Sequence, residues 1–525
     1  MKRLAGIALA ALALLGGRAL ADPIPEGPLP PGPPFIGEPA EPQPVVAPAP
    51  PQQPFMAPNE RSNIHDDAYM SDAYQTAGPL GNAIEEATAA LGGDCGTVTF
   101  DGRGRIVTVC VGVQLPTLYL LEPDTLATLA SLPLPPRVPS SNPFQEFSGG
   151  GYFYLDDQDR AVIPTTSHHI FVVATREDAA GPSFEVERDY DLTAAIPESD
   201  RTTSALPDWS GRLWFVTRFG VVGTVDPASG TVASRSLGEE IENSFAVDET
   251  GGVFIVSDKA MYRFDADASG APQVTWREVY PNSGIHKPGQ VNAGSGTTPT
   301  LMGPSWVAIT DNADPMDIVV YRRERDFTGS RTVCVQPVFS AGASDTENSL
   351  IGAGRAMIVE NNYGYTGPTA TQGGLSTAPG IERVDIDPDG NGCTPVWHSD
   401  ERAPTVVPKL SLATGLVYTY TKDPEPPGPD AFDPWYLTAL DFATGTTRWK
   451  RLAGTQTSFN NNYAPVTIGP DHAAYVGVLA GLVRLADTGA PPAGCTPVVP
   501  LRGEAGGAAG RTRIRPRCPG LPLVR

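Results

Sequence analysis

The sequence predicts an all-β fold: an eight-bladed β-propeller of four-stranded antiparallel blades, with seven blades as the fallback. Three observations predict it. A strand–turn–strand unit recurs about every fifty residues, a second series of Asp/Gly turns falls between the units, and helical periodicity is almost absent.

The recurring unit is clearest where Asp248-Glu249-Thr250-Gly251-Gly252 leads into Val253-Phe254-Ile255-Val256. Asp208-Trp209-Ser210-Gly211 leads likewise into Leu213-Trp214-Phe215-Val216, and Asp101-Gly102-Arg103-Gly104 into Ile106-Val107-Thr108-Val109. Looser copies start at Asp156, Gly303, Gly352, Ala413 and Gly469, so eight turns lie 40 to 61 residues apart. The outer hairpins carry their own turns, at Asp226–Gly230, Asp265–Gly270, Asp387–Gly390, Asp441–Gly445 and Asp487–Gly489. Gly and Asp supply the positive φ that such turns need, and Val, Ile, Tyr and Trp flank them. Gly392-Cys393-Thr394-Pro395-Val396 returns as Gly494-Cys495-Thr496-Pro497-Val498, two units later.

The ends differ from this body. Residues 1–21 read as an export signal: Lys2 and Arg3, an apolar run from Ile7 to Leu15, then Ala19-Leu20-Ala21. Residues 22–58 are dense in proline and read as an extended, disordered linker. Residues 59–92 form a polar lead-in with a short helix expected at Gly81–Ala90, residues 93–500 the propeller, and 501–525 a loose tail. No later segment is apolar enough to span a bilayer, so a soluble, secreted or periplasmic monomer is expected.

The formal charge is −22, or −25 once Lys2, Arg3 and Arg18 are removed with the signal. Such a field disfavours nucleic acid and anionic lipid as partners. Six cysteines (Cys95, Cys110, Cys334, Cys393, Cys495 and Cys518) suit an oxidising compartment, with sequence neighbours the expected disulfide pairs. No CxxC or CxxCH occurs, which argues against structural zinc, a thioredoxin-type centre and covalent haem.

Leu437-Thr438-Ala439-Leu440-Asp441-Phe442-Ala443-Thr444-Gly445-Thr446-Thr447-Arg448-Trp449-Lys450 resembles the repeat of quinoprotein alcohol dehydrogenase-like propellers, the PQQ-repeat type. Val225–Gly230 and Leu485–Gly489 are weaker copies. The resemblance implies eight blades. Quinoprotein dehydrogenases stack their quinone on a disulfide of adjacent cysteines, and this chain has no Cys-Cys pair, which argues against PQQ.

Propeller geometry brings the starts of innermost strands and the ends of second strands to one face. The starts carry Glu242-Asn243-Ser244, Glu347-Asn348-Ser349 and Asn460-Asn461-Asn462-Tyr463. The ends carry Asp311-Asn312, Glu360-Asn361-Asn362-Tyr363 and, after Thr165-Thr166, His168-His169. Carboxylate and amide oxygens suit a hard cation, so calcium held by Glu242, Asn243, Glu347 and Asn348 is one expectation. That set is similar in residue type to calcium-dependent lactonase and esterase propellers. The bland alternative is that these groups satisfy channel water and strand-end backbone. Glu360, Asn361, Asn362, Tyr363, Asn461, Asn462 and Asp311 are the expected ligand-binding set. Tyr363, Tyr365, Tyr463 and Trp435 are either a binding floor for a glycan or peptide, or blade packing. Asp385, Asp387, Asp389 and Asn391 look like the opening of an EF-hand loop, but Val396 stands where its bidentate Glu belongs, so a plain turn is expected.

Of the histidines, His168, His169 and His286 are placed near the channel, and His65 only in the lead-in. No Ser-His-Asp arrangement can be assembled. A non-catalytic propeller that binds a small molecule, glycan or protein at its channel face is the first reading. A calcium-dependent hydrolase is the alternative and a quinone oxidoreductase the third, so enzymatic activity stays open. Thiol labelling of the denatured, unreduced protein is expected to detect no free cysteine; several free thiols would contradict the oxidising compartment.

Overall fold

The computed structural model describes residues 20–112, 115–138, 142–146 and 148–488. Eight four-stranded antiparallel blades form a ring, and the expected architecture is what the chain adopts. Helical structure among the described residues is limited to three short 3₁₀ turns. None of the described helices is long and apolar enough to cross a membrane, which says nothing of strands.

The inner hairpin turns explain the repeat. In the third blade Asp208 Oδ1 accepts the amides of Ser210 at 2.8 Å and Arg212 at 3.1 Å. In the fourth, Asp248 Oδ1 accepts those of Thr250 and Gly252, both at 2.9 Å. The Asp side chain thus replaces backbone partners inside the turn. Gly211 and Gly251 follow with φ of 85°, where a β-carbon would be strained. Beyond the turn the second strands, such as Leu213–Thr217 and Val253–Val256, are buried on both faces between neighbouring blades. That double burial is why they read as continuous apolar runs rather than alternating ones.

The eighth blade closes the ring with a strand from the other end of the chain. Val466–Ile468, Ala474–Val478 and Gly481–Asp487 supply three strands, and Ile84–Ala90 pairs antiparallel with the last. The helix expected at Gly81–Ala90 is therefore a strand at Ile84–Ala90, so the ring begins at 84 rather than 93; its last described strand ends at Asp487, and residues 489–500 lie outside the described residues. Gly81 and Ala83 have φ of 96° and 51°, which breaks a helix at its start. The Asp487 carboxylate then accepts the amides of Leu80, Gly81 and Asn82 at 2.7, 3.1 and 2.8 Å, fixing the strand's entry.

The proline-rich segment, expected to be a free linker, lies along the propeller instead. Phe35–Gly37 adds an edge strand to the seventh blade, and Phe35 stacks on Trp449 at 6.0 Å. Gln43 and Val45 donate their amides to Thr414 O and Leu412 O, each at 2.8 Å. An edge position tolerates proline because one side of the strand needs no donor.

Residues 61–74 run through the ring itself. Their carbonyls accept from innermost strands around the circle: Arg61 from Phe100, Ser62 from Leu155, Ala68 from Val247, Tyr69 from Leu301, Ser71 from Gly352, and Asp72 from Leu410. Ala73–Tyr74 then pairs in parallel with Lys409–Ser411. Innermost strands leave one edge facing the channel, and these carbonyls satisfy amides that would otherwise lack partners. The segment is polar yet buried. Asp66, Asp67 and Asp72 are all at most 2% exposed, and Lys409 Nζ reaches both Asp66 and Asp72 as well as Ile64 O.

Two disulfides join sequence neighbours, Cys95 to Cys110 within the first blade and Cys334 to Cys393 between the outer strands of the fifth and sixth. Cys495, Cys518, the export signal up to Ala19 and the expected tail lie outside the described residues. The Asp385–Asn391 segment forms an outer hairpin turn between Ile381–Ile386 and Cys393–Ser399. The Lys409 contact is testable by removing the cation. Lys409→Met leaves buried carboxylates without their partner, and a loss of about 3–5 kcal/mol is expected in urea unfolding. A change under about 1 kcal/mol would show that this ion pair does not hold the segment in place.

Candidate functional site: the channel cavity

Because residues 61–74 fill the channel at the turn end, it is blind. What remains is a cavity of about 350 Å³ that reaches from the opposite face, with Ile64 and His65 in its lining. Its walls come from segments leading into innermost strands: Asp94 and Gly96, Gly151 and Tyr152, Asn243, Glu347 to Ser349, and Asn462 to Ala464.

Glu242 and Glu347 come together here although 105 positions separate them in sequence. Glu347 is buried, and burial followed by the nearby Glu242 carboxyl pushes its pKa well above the usual range. Burial raises Glu242 to about 8, opposed by Arg218, whose Nε lies 2.8 Å from Oε2. Asp94 is also raised by burial, with the Asn462 amide acting against the rise. Burial, joined by crowding at Glu242 and Glu347, thus favours the neutral carboxyl over the charged one at all three positions.

The Glu-Asn segments are held by a second layer of amides. Asn348 Nδ2 donates to Glu360 Oε1 at 2.8 Å and to Asn362 Oδ1 at 2.9 Å. Asn362 Nδ2 donates to Glu360 at 3.2 Å, and the Val406 amide adds a further bond to the same oxygen. Glu360 and Asn362 therefore sit behind the cavity wall and fix it. Asn361 and Asn461 do the same for loops: each uses its side-chain amide on two backbone carbonyls, Ala343 and Pro379 for one, Thr405 and Ala464 for the other. Asp311 lies away from the cavity, where it accepts the amides of Ala313 and Asp317.

Of the eleven residues singled out in the sequence, Asn243, Glu347, Asn348 and Asn462 line the cavity. Glu242, Glu360 and Asn362 support it, while Asp311, Asn361, Tyr363 and Asn461 do not reach it. Among the aromatics Tyr463 lines it, with Tyr365 in edge contact behind at 5.3 Å. Trp435 instead stacks on Tyr420 inside the seventh blade, at 5.6 Å. His169 pairs with Asp189 on an outer hairpin, His168 Nε2 bonds Asp200 O, and His286 bonds Gln290 O.

His65 is the residue the sequence reading passed over. Its Nδ1 lies 3.1 and 3.0 Å from the two Asp72 oxygens. Nδ1–H donates to the Asp72 carboxylate, and in that tautomer Nε2 is the acceptor. Nε2 is buried without a protein partner, as are Asn243 Nδ2 and Glu347 Oε1. Asn243 Oδ1, by contrast, accepts from the Tyr152 hydroxyl at 2.7 Å.

Calcium does not fit this set. Glu242 is committed to Arg218, Asn243 Oδ1 to Tyr152, and one Glu347 oxygen to the Val291 amide at 3.1 Å. No group of three acidic, histidine or cysteine side chains converges among the described residues. The quinone does not fit either, since neither disulfide joins adjacent cysteines and neither lines the cavity.

No family model matches the chain. A protein of Archaeoglobus fulgidus, named only as uncharacterized, is 31% identical over 310 residues. The match covers 53% of this chain and 59% of that protein, so the chain spans under two thirds of that relative's length. Similar solved structures include BamB from Moraxella catarrhalis (13% identity, 63% of this chain and 82% of that one, TM-score 0.41). Sqt1 from Chaetomium thermophilum bound to the N-terminus of ribosomal protein L10 gives 11%, 79%, 99% and 0.44. A streptogramin B lyase gives 10%, 77%, 96% and 0.37.

The buried acids give a signed pH dependence. Their folded pKa values lie above the unfolded ones, so the folded state holds more protons between the two. Stability is then full below about pH 4 and falls as pH rises toward about 8, the value for Glu242. Calorimetry is expected to show the melting temperature falling from about pH 5 to about pH 8, with Glu347→Gln flattening the fall. A melting temperature that rises over this range would contradict the assignment.

Proposed function

We propose that this protein is an exported, non-catalytic propeller that binds a small polar molecule in the blind channel cavity. The observation that carries this reading is the set of buried, unfilled hydrogen-bonding atoms around one cavity: His65 Nε2, Asp94 Oδ1, Arg137 Nε, Asn243 Nδ2 and Glu347 Oε1. Leaving such groups without partners costs about 1–3 kcal/mol each, and a ligand that fills them recovers that energy. The size suits a small molecule held by a few directed polar groups. The wall is rigid, because Glu360 and Asn362 fix Asn348 from behind, which favours recognition over motion.

Export is part of the proposal and rests on the first 21 residues together with the two disulfides. The calcium hydrolase and the quinone oxidoreductase are not carried further, because the residues do not fit those groups.

Gly96 offers a direct test. It lines the cavity, its φ is ordinary, and an added β-carbon would meet no heavy atom closer than 4.0 Å. Gly96→Leu should fold and fill the cavity. In a thermal-shift screen against a metabolite library, hits on the wild-type protein should vanish or weaken at least about tenfold in Gly96→Leu. Hits that survive unchanged would place binding elsewhere and contradict the reading.

A further inference from the structure

We infer that the cavity's ligand is an organic ammonium compound, with His65, Glu347 and Asp94 as hydrogen-bond acceptors and aromatic rings around its apolar part. The inference rests on the cavity being a binding site and adds the chemical class of what it holds.

The donor and acceptor balance is the first argument. His65 Nε2 and Glu347 Oε1 are unpartnered acceptors, and the residues that carry them are 1% and 5% exposed. Asp94 adds a carboxyl whose only side-chain support is the Asn462 amide. Against these acceptors stand two unpartnered donors among the described residues, Asn243 Nδ2 and Arg137 Nε. An ammonium group donates up to three hydrogen bonds and accepts none, which matches a wall rich in acceptors.

Charge is the second. Asp94, Glu146 and Glu347 line the cavity, facing Arg137 and His65. Arg137 acts on Glu146, while its guanidinium is anchored on the carbonyls of Gly112, Pro143 and Glu146 and makes no bond to the Asp94 or Glu347 carboxyl. Arg218 is taken by Glu240 and Glu242, and Arg201 lies 3.4 Å from Glu146. Among the described residues no cation hydrogen-bonds to Asp94 or Glu347, and Arg218 acts on Glu347 only from its place beside Glu242. Burial disfavours the charged form of both, and a bound ammonium would favour it.

The third is the apolar lining. Phe144, Tyr152 and Tyr463 all border the cavity, and aromatic faces attract organic cations once water is excluded. The field of a chain with net charge −22 also draws cations toward the mouth.

The test uses three probes of one shape and different charge: phenethylammonium, 2-phenylethanol and 3-phenylpropanoate. Titration calorimetry on the full-length protein near pH 7 should show the ammonium binding at least about tenfold more tightly than either of the others. Repeating it in buffers of different ionisation enthalpy should reveal net proton release, as Asp94 and Glu347 ionise. Glu347→Gln should weaken binding about tenfold and reduce the protons released, while Gly96→Leu abolishes binding. If the alcohol or the carboxylate binds as well as the ammonium and Gly96→Leu still abolishes it, the cavity binds ligands but the ammonium class is wrong. If the ammonium fails to bind, or binds equally to Glu347→Gln, the inference is overturned. Loss of all cavity-dependent binding in the metabolite screen would overturn the binding reading separately.

Discussion

The structure depends on a strip of polar chain threaded through a ring. Every innermost strand of a propeller has one edge turned to the central channel, with backbone amides that need acceptors. Here residues 61–74 provide them, to amides on six blades in turn. Threading a polar segment through a closed ring is expensive in conformational entropy. It is offset by backbone bonds shared over the circle and by Lys409, which holds Asp66 and Asp72 from the start of an innermost strand. The same segment continues into Ile84–Ala90, the strand that closes the eighth blade. Plug and clasp are therefore one piece of chain, and the ring and its channel are stabilised together.

The plug also determines the chemistry of the cavity. An open channel would let bulk water solvate Asp94, Glu242 and Glu347. A blind one removes that water, raises the carboxyls and leaves His65 Nε2 in the lining. The His65 orientation comes from Asp72, and Asp72 is held by Lys409, so the hydrogen bonds of the floor lead directly to the atom the cavity presents. Behind the wall, Glu360 with Asn348 and Asn362 performs the equivalent service. Few of these groups are free to move, and the site is better suited to holding a molecule than to remodelling around one.

The ring was legible because its turns are local. Asp101, Asp156, Asp208 and Asp248 each bond amides two and four residues on, and a pattern that short survives in sequence. The recurrence of Glu-Asn at 242 and 347 marked residues that border or back the cavity, though recurrence alone did not separate wall from support. The plug left no such signal. Its hydrogen bonds to the ring join residues some 40 to 340 positions apart, and an irregular buried strip has no period. Ile84–Ala90 reads Ile-Glu-Glu-Ala-Thr-Ala-Ala, whose local preference is helical, and only the vacant edge of the last blade makes it a strand. His65 was passed over for the same reason: its partner Asp72 and its place in the cavity follow from the threading, not from spacing.

The blind cavity requires residues 61–74 to lie inside the ring. Hydrogen–deuterium exchange resolved to single peptides measures this directly. Buried among six blades, the amides of Asp66, Asp67, Tyr69 and Met70 should exchange only as fast as the second strands of the blades, by global unfolding. Rapid exchange of these amides, at the rate of an exposed loop while the blades stay protected, would mean an open channel and no blind cavity.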